Sequence, residues 1–260
     1  MGFLTEVVAE RRAALAERPL DAAALARAAA ERGPTRDLAG ALRARRPALI
    51  AEVKRASPSA GAIAPGDDPV ARARAYEVGG AAAVSVLTEE RYFGGSLEDL
   101  RAVAEAVGLP VLRKDVLVDP TEVLEARAAG ADAVLVIAAA VDDARLADLL
   151  AAADEQELGV LLEAHGDEDL DRALATPARV IGVNARDLET LEVDLAAALA
   201  RLRRIPADRI GVLESGVRDR SDVQAALEAG AAALLVGEAL MRAPDPAAAV
   251  RRLLGAGVGA

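Results

Sequence analysis

The stretch AGADAVLVI, residues 129–137, decides the fold because it joins a helix-ending Ala-Gly-Ala to a short apolar strand. The same form returns as AGAAALLVG at residues 229–237, and Gly79-Gly80-Ala81 precedes a third apolar run. A glycine in that place is what a helix carboxyl terminus requires before the chain turns into a strand. The repetition predicts units of one strand followed by one helix.

Outward from this stretch, eight apolar runs each precede a helical segment rich in Ala, Glu and Arg. The runs are Leu49–Val53, Ala82–Leu87, Val111–Arg113, Ala133–Ile137, Val160–Leu162, Val180–Val183, Ile210–Leu213 and Ala233–Val236. Strands that are apolar on both faces and alternate with helices indicate a parallel sheet covered on both sides. Eight units favour an α/β fold of the closed (β/α)8 TIM barrel type over a doubly wound sheet of similar rhythm.

Residues 1–47 are dominated by Ala, Leu, Arg and Glu, which predicts a helical extension ahead of a barrel domain over residues 48–260. Asp21 is placed to cap a second helix, and Gly33-Pro34 supplies a stop. Periodicity leaves open whether this extension covers the mouth of the barrel, caps its bottom or mediates contacts.

Composition excludes several classes of function. The formal charge is 31 − 42 = −11, so a nucleic acid would meet net repulsion. The chain has no cysteine, which rules out disulfides, thiolate metal sites and thiol nucleophiles, and its single histidine, His165, makes a histidine metal cage improbable. Acid–base chemistry therefore falls to Lys, Asp or Glu, and we interpret His165 as a structural residue.

No signal-peptide run and no stretch of about 18 apolar residues is apparent in the sequence. This predicts a cytoplasmic protein without a membrane partner.

Charged or amide residues follow several predicted strands, at the end of a barrel where active sites are built. Glu52 and Lys54 are two apart and so share one face of the first strand. Later strands end on Lys114, Glu163, Asn184, and Glu214-Ser215. Such side chains are costly in an apolar barrel unless they are paired or used, which predicts a polar site at the mouth.

A phosphate site is indicated by Gly216 and Gly237, which lie in the loops after the seventh and eighth strands. Arg186, just past the sixth strand, could add a bidentate cation. The fourth strand ends without charge, and Leu135 there is either an apolar wall for a flat organic group or plain core.

Five motifs in order make the sequence resemble the indole-3-glycerol-phosphate synthases of tryptophan biosynthesis. They are Glu52–Ser59, Ser85–Thr88 with Tyr92–Ser96, Leu112–Asp115, Gly182–Leu188 and Glu214–Gly216. The resemblance covers nearly the whole chain, including the extension. It implies a carboxy-lyase, without cofactor or metal, that converts 1-(2-carboxyphenylamino)-1-deoxyribulose 5-phosphate into indole-3-glycerol phosphate, carbon dioxide and water.

The resemblance also implies roles for individual residues. Lys114 matches the general acid, and Glu163 and Lys54 share the later proton transfers in a division that stays open. Glu52 would hold the lysines in place. The remaining implied contacts are Asn184, Glu214 and Ser215 for the sugar-like chain, Ser57, Arg186, Gly216 and Gly237 for the phosphate, and Phe93, Leu112 and Leu135 for the aromatic ring. Three positions depart from the family pattern: Val116, Ala185 and Glu238.

The implied partner is a phosphorylated small molecule, and we expect a monomer. Three other interpretations remain open. One is a phosphoribosyl-type isomerase on the same barrel, although the first strand presents Glu-x-Lys and no Cys exists. Another is a barrel that forms a Schiff base through Lys54 or Lys114. The third is a non-catalytic anion-binding barrel.

Overall fold

The structure, a computed structural model, describes residues 2–64 and 66–255. Its strands are Ala48–Val53 (β1), Ala56–Ser57 (β2), Gly61–Ala62 (β3), Ala83–Leu87 (β4), Val111–Lys114 (β5), Ala133–Ile137 (β6), Gly159–Ala164 (β7), Val180–Asn184 (β8), Ile210–Glu214 (β9) and Ala233–Val236 (β10). Its helices are Phe3–Glu17 (α1), Ala22–Ala30 (α2), Leu38–Arg43 (α3), Pro69–Gly79 (α4), Leu97–Ala106 (α5), Pro120–Ala128 (α6), Asp143–Glu155 (α7), Asp167–Leu174 (α8), Leu195–Leu202 (α9), Arg220–Glu228 (α10), Glu238–Met241 (α11) and Pro246–Leu254 (α12), with a 3-10 turn at Ala138–Ala140.

Eight strands, all those above except β2 and β3, form a closed barrel. Each pairs in parallel with its neighbour, and β1 closes the ring by pairing with both β10 and β4. This confirms the predicted TIM barrel. The antiparallel pair β2–β3 was not predicted, because two-residue strands are too short to show a hydrophobic alternation.

Glycines end the helices where the repeat predicted them. Gly80, Gly130 and Gly230 have φ angles of 96°, 91° and 98°, and they lie just before β4, β6 and β10. This left-handed conformation is one that glycine adopts without a Cβ penalty.

The strand register puts polar side chains on the inner face at the carboxyl end of the barrel. Asn184 is paired with Glu214 across β8 and β9, and Glu163 lies one strand away on β7. Residues paired in register point to the same face of a sheet, here the barrel interior. Aliphatic residues such as Ile50 and Leu161 fill the levels below.

The N-terminal extension covers both ends of the barrel. Helix α1 lies at the mouth, where Leu4 N–H donates to the carbonyl of Leu188 in the loop after β8. Helix α2 packs along α6, and α3 packs against β1, β4 and β9 at the bottom. Two of the placements left open by the sequence therefore occur together.

The cap expected at Asp21 is confirmed, since its carboxylate accepts the N–H of Ala24. The first barrel strand begins at Ala48, immediately after the extension. The division into an extension and a separate barrel domain stays a prediction.

Candidate active site

A cavity of about 710 Å³ opens at the carboxyl ends of the strands. Its walls come from the βα loops, from α1 and from the strand ends. The predicted site residues that line it are Glu52, Lys54, Ser57, Phe93, Lys114, Asn184, Arg186, Glu214, Ser215, Gly216 and Gly237. Residues from six separate segments of the chain thus meet in one space.

Lys114, at the end of β5, lies between two buried carboxylates. Its Nζ is 3.6 Å from Oε2 of Glu163 and 3.8 Å from Oε2 of Glu214, and 17% of its side chain is exposed. Among the described residues, both oxygens of Glu214 and Oε2 of Glu163 are buried without a hydrogen-bond partner. Buried acceptors left in this way are a feature of binding and catalytic sites.

The charges of this cluster shift one another's pKa values. Burial opposes the charged form of Lys114, but Glu163 and Glu214 outweigh it and raise its pKa above the usual range. Burial also opposes ionisation of Glu163, and the charge of Lys114, together with the contact with His165, overcomes it and lowers the pKa of Glu163. Burial and the adjacent Glu163 raise the pKa of Glu214 well above its ordinary value. The site therefore holds an ionised Glu163 beside a Glu214 that retains its proton more readily.

Glu52 and Lys54 form a second ion pair at the mouth, with Nζ 2.7 Å from Oε1. Gly237 makes room for this pair, because a Cβ there would overlap Oε1 of Glu52. The role of Glu52 in holding the lysines stays a prediction, and its contact with Lys54 is compatible with it.

Two further side chains contact Glu163. Asn184 Nδ2 donates to Oε1 of Glu163 over 3.2 Å, and its own Oδ1 accepts the N–H of Arg186 over 3.0 Å. His165 Nε2 lies 2.9 Å from the same Oε1. The sequence predicts a structural role for His165, and a contact that orients the Glu163 carboxylate is compatible with that role.

The loops after β8, β9 and β10 supply the predicted anion-binding groups. Ser215 and Gly216 both have left-handed φ angles, 63° and 77°. For Ser215 this conformation is strained, and such strain concentrates at functional sites. Arg186 is fixed by a hydrogen bond from Nη1 to the carbonyl of Leu191 over 2.9 Å.

The apolar wall differs from the expectation. Phe93 lines the cavity, but Leu112 and Leu135 do not: both are buried, and Leu112 lies one level below Lys114 on the same face of β5. Phe3 of α1 takes part instead, edge-on to Phe93 with ring centroids 6.4 Å apart. The chain has only two Phe and two Tyr, so each is a candidate to contact an aromatic substrate, and this is the one sequence signal that could have pointed to Phe3.

Of the three departures from the family pattern, only Glu238 lines the cavity. Val116 and Ala185 are buried. Glu238 lines the cavity and is paired with Arg242, with Nε and Oε1 3.0 Å apart.

Within residues 2–64 and 66–255, no group of three His, Asp or Glu side chains is arranged to hold a metal ion. No helix in these ranges is long and apolar enough to cross a membrane.

The indole-3-glycerol phosphate synthase family model matches residues 4–253. The chain belongs to the indole-3-glycerol phosphate synthase family. A relative of that name from Mycobacterium ulcerans is 51% identical over 230 residues, covering 88% of this chain and 85% of the relative. Another from Nocardioides sp. is 49% identical over 259 residues, covering 98% and 99%.

A solved structure of 3-hexulose-6-phosphate synthase superposes with a TM-score of 0.65 and 25% identity, covering 80% of this chain and 99% of that one. It is a TIM barrel. As a member of the indole-3-glycerol phosphate synthase family, the chain is a carboxy-lyase of tryptophan biosynthesis that acts on a phosphorylated small molecule.

Proposed function

We propose that Lys114 is the general acid of ring closure, in which an aromatic carbon of 1-(2-carboxyphenylamino)-1-deoxyribulose 5-phosphate attacks the carbonyl carbon. The observation that carries this role is the position of Lys114 Nζ, between Glu163 and Glu214 and exposed to the cavity. Its raised pKa keeps it protonated at neutral pH. A positioned ammonium can donate its proton to the carbonyl oxygen as the new carbon–carbon bond forms.

The later steps need a base and a second proton donor. After condensation the carboxylate leaves as carbon dioxide and its electron pair restores the aromatic ring. The new hydroxyl then leaves as water once it is protonated, and a proton is removed from the ring system. Glu163, ionised and buried beside Lys114, is suited to accept a proton. Lys54 is the other donor at the mouth, paired with Glu52.

The residues that line the cavity support an assignment of the parts of the substrate. We assign the phosphate to Ser57, Arg186, Gly216 and Gly237, since a hydroxyl, a guanidinium and bare backbone are the groups that bind phosphate. Asn184, Glu214 and Ser215 face the sugar-like chain. The aromatic ring rests against Phe93 and Phe3, with Leu87 beside them.

The test is a fluorescence progress curve with the carboxyphenylamino-deoxyribulose phosphate. The indole product is emissive, and a chain without Trp contributes little background. We expect emission to rise with substrate, and mass spectrometry to show indole-3-glycerol phosphate. A flat trace from folded protein would contradict the assignment.

Borohydride separates this mechanism from Schiff-base chemistry. The chain contains only two lysines, Lys54 and Lys114, so any trapped adduct is assigned by one peptide map. We expect no adduct, because acid–base catalysis forms no covalent bond to lysine. A reduced adduct at either lysine would overturn the proposed role of that residue.

We also propose that the enzyme works as a monomer in the cytoplasm, without a nucleic acid partner. In support, the net charge is −11, which disfavours binding to a nucleic acid. Light scattering on the active fraction measures the mass, for which we expect one chain of 26.7 kDa. Cell fractionation followed by activity assay tests the location.

A further inference from the structure

Helix α1 brings Phe3 to the cavity and is held by both apolar and polar contacts. Of its 15 residues, Leu4 and Val7 are buried, and Phe3, Val8 and Leu15 are partly buried against the core. Apolar packing is not directional, so polar contacts also help to fix the position of the helix. The deepest of these polar contacts is made by Arg11.

Arg11 binds two carboxylates at the mouth of the barrel. Its Nη2 donates to Oδ2 of Asp115 over 2.9 Å, and its Nε donates to Oε1 of Glu122 over 2.5 Å. Asp115 is 3% exposed and Glu122 is 0% exposed. The carboxylate ends of both ion pairs are therefore shielded from water, while 28% of the Arg11 side chain is exposed. Hydrogen bonds between charged groups are strong where water is excluded.

The two carboxylates organise the segment that follows Lys114. Asp115 comes next in sequence, and its Oδ1 accepts the N–H of Val116 over 2.9 Å. Glu122 Oε2 accepts the N–H groups of Val118 and Asp119, at 2.8 and 3.0 Å. Arg11 thus binds the two carboxylates whose hydrogen bonds hold the backbone N–H groups of residues 116, 118 and 119.

The two carboxylates depend on Arg11 to different degrees. Asp115 has a second cation, Arg113, whose Nη2 lies 3.0 Å away, and the two guanidiniums hold the pKa of Asp115 below its usual range against the effect of burial. Burial raises the pKa of Glu122, and Arg11 is the largest influence that opposes this rise. Removal of Arg11 therefore affects Glu122 most.

We propose that Arg11 is a positioning residue, which couples the docking of α1, and with it the Phe3 wall of the cavity, to the segment that follows Lys114. The effect of Arg11 on catalysis rests on the proposed role of Lys114. The effect of Arg11 on the docking of α1 does not rest on that role, so experiments can contradict one effect without the other.

Arg11→Met and Arg12→Met form a matched pair, because Arg12 is the exposed neighbour on the same helix. We expect Arg11→Met to reduce kcat/KM by about tenfold or more, the size of a lost hydrogen bond between charged groups. Most of the loss should appear in KM, because Phe3 contacts the substrate ring. Arg12→Met should keep both constants. Equal constants in the two variants would overturn the proposal.

Phe3→Trp gives a direct fluorescence probe of the docking of α1, because the chain has no Trp of its own. In the Phe3→Trp background without substrate, we expect Arg11→Met to shift the emission to the red as the indole enters water. Arg12→Met should leave the emission unchanged. An unshifted spectrum in Arg11→Met would show that α1 docks without Arg11.

Two variants separate positioning from stability. If Arg11→Met fails to fold, Arg11→Met/Glu122→Gln removes the buried charge along with its partner, and the same emission and KM changes are expected. In a double-mutant cycle that combines Arg11→Met with Phe3→Ala, the losses in kcat/KM should be less than additive, because both substitutions remove the Phe3 wall of the cavity. Additive losses would mean that Arg11 does not act through Phe3.

Discussion

The two ends of the barrel are both covered by the same N-terminal extension, but in opposite ways. At the bottom, the six-residue helix α3 buries Leu38, Ala39 and Leu42. At the mouth, the 15-residue helix α1 buries only Leu4 and Val7 and is held by ion pairs. The shorter helix thus seals its end with aliphatic packing, whereas the longer one leaves a cavity open beneath it.

This difference indicates that the bottom of the barrel contributes mainly to stability and the mouth mainly to the chemistry. The bottom gains free energy from buried apolar surface and close packing. The mouth holds three buried carboxylate oxygens without hydrogen-bond partners, Oε2 of Glu163 and both oxygens of Glu214, and such buried acceptors are unfavourable. Changes at the mouth should therefore alter turnover more than stability, and changes at the bottom should do the reverse.

The largest effect is expected for Lys114→Ala. Loss of the positioned acid should reduce turnover by more than about 10²-fold. The fold should persist, because Lys114 does not belong to the aliphatic core. The fluorescence progress curve measures turnover, and circular dichroism measures whether the fold is retained. Near-normal turnover in a folded variant would remove Lys114 from the mechanism.

Next in size is Leu42→Ala at the bottom. Leu42 is 0% exposed, and a buried Leu→Ala change typically lowers the free energy of unfolding by about 2–5 kcal/mol. Turnover per folded molecule should be unchanged. Val78→Ala, at a position 74% exposed, is the control and should change stability by about 0.5 kcal/mol or less. A loss of turnover in folded Leu42→Ala would show that the two ends are coupled.

Gly182→Ala should reduce turnover by about tenfold, as expected when a catalytic-site group is displaced. A Cβ on Gly182 would overlap Oε1 of Glu214, so the carboxylate must move. Gly33→Ala is a matched control, since a Cβ there meets nothing within 4 Å. Normal kinetics for Gly182→Ala would mean that Glu214 tolerates displacement.

The smallest effect is a gain in stability from Glu214→Gln. The folded-state pKa of Glu214 is raised, so its contribution to stability is present below the unfolded pKa and is lost as pH rises through the folded one. At pH 8 the variant should be more stable than the parent by about 0.5–2 kcal/mol, at the expense of turnover. Denaturant unfolding at pH 4 and pH 8 measures this difference, which should shrink at pH 4. A less stable variant at pH 8 would contradict the sign.

Sequence patterns predicted most of the barrel because each unit carries its own local signal. The strand at Ala133–Ile137 was predicted to the residue, and the Asp21 cap was confirmed. The pair β2–β3 was missed because two residues show no period. Leu112 was expected at the aromatic ring, but it is buried beneath Lys114. Alternation along a strand predicts which face a side chain lies on, but not how deep in the barrel it lies.

What the sequence by itself determined is the barrel, the order of its units and the end of the barrel at which the polar strand ends meet, because periodicity and strand parity are local properties. Only the tertiary structure decided that α1 crosses the mouth while α3 seals the bottom, that Phe3 joins the cavity wall and that His165 lies against Glu163. The reason is physical: these contacts join residues such as Arg11 and Glu122, 111 positions apart, and their partners follow from how the closed barrel places its loops.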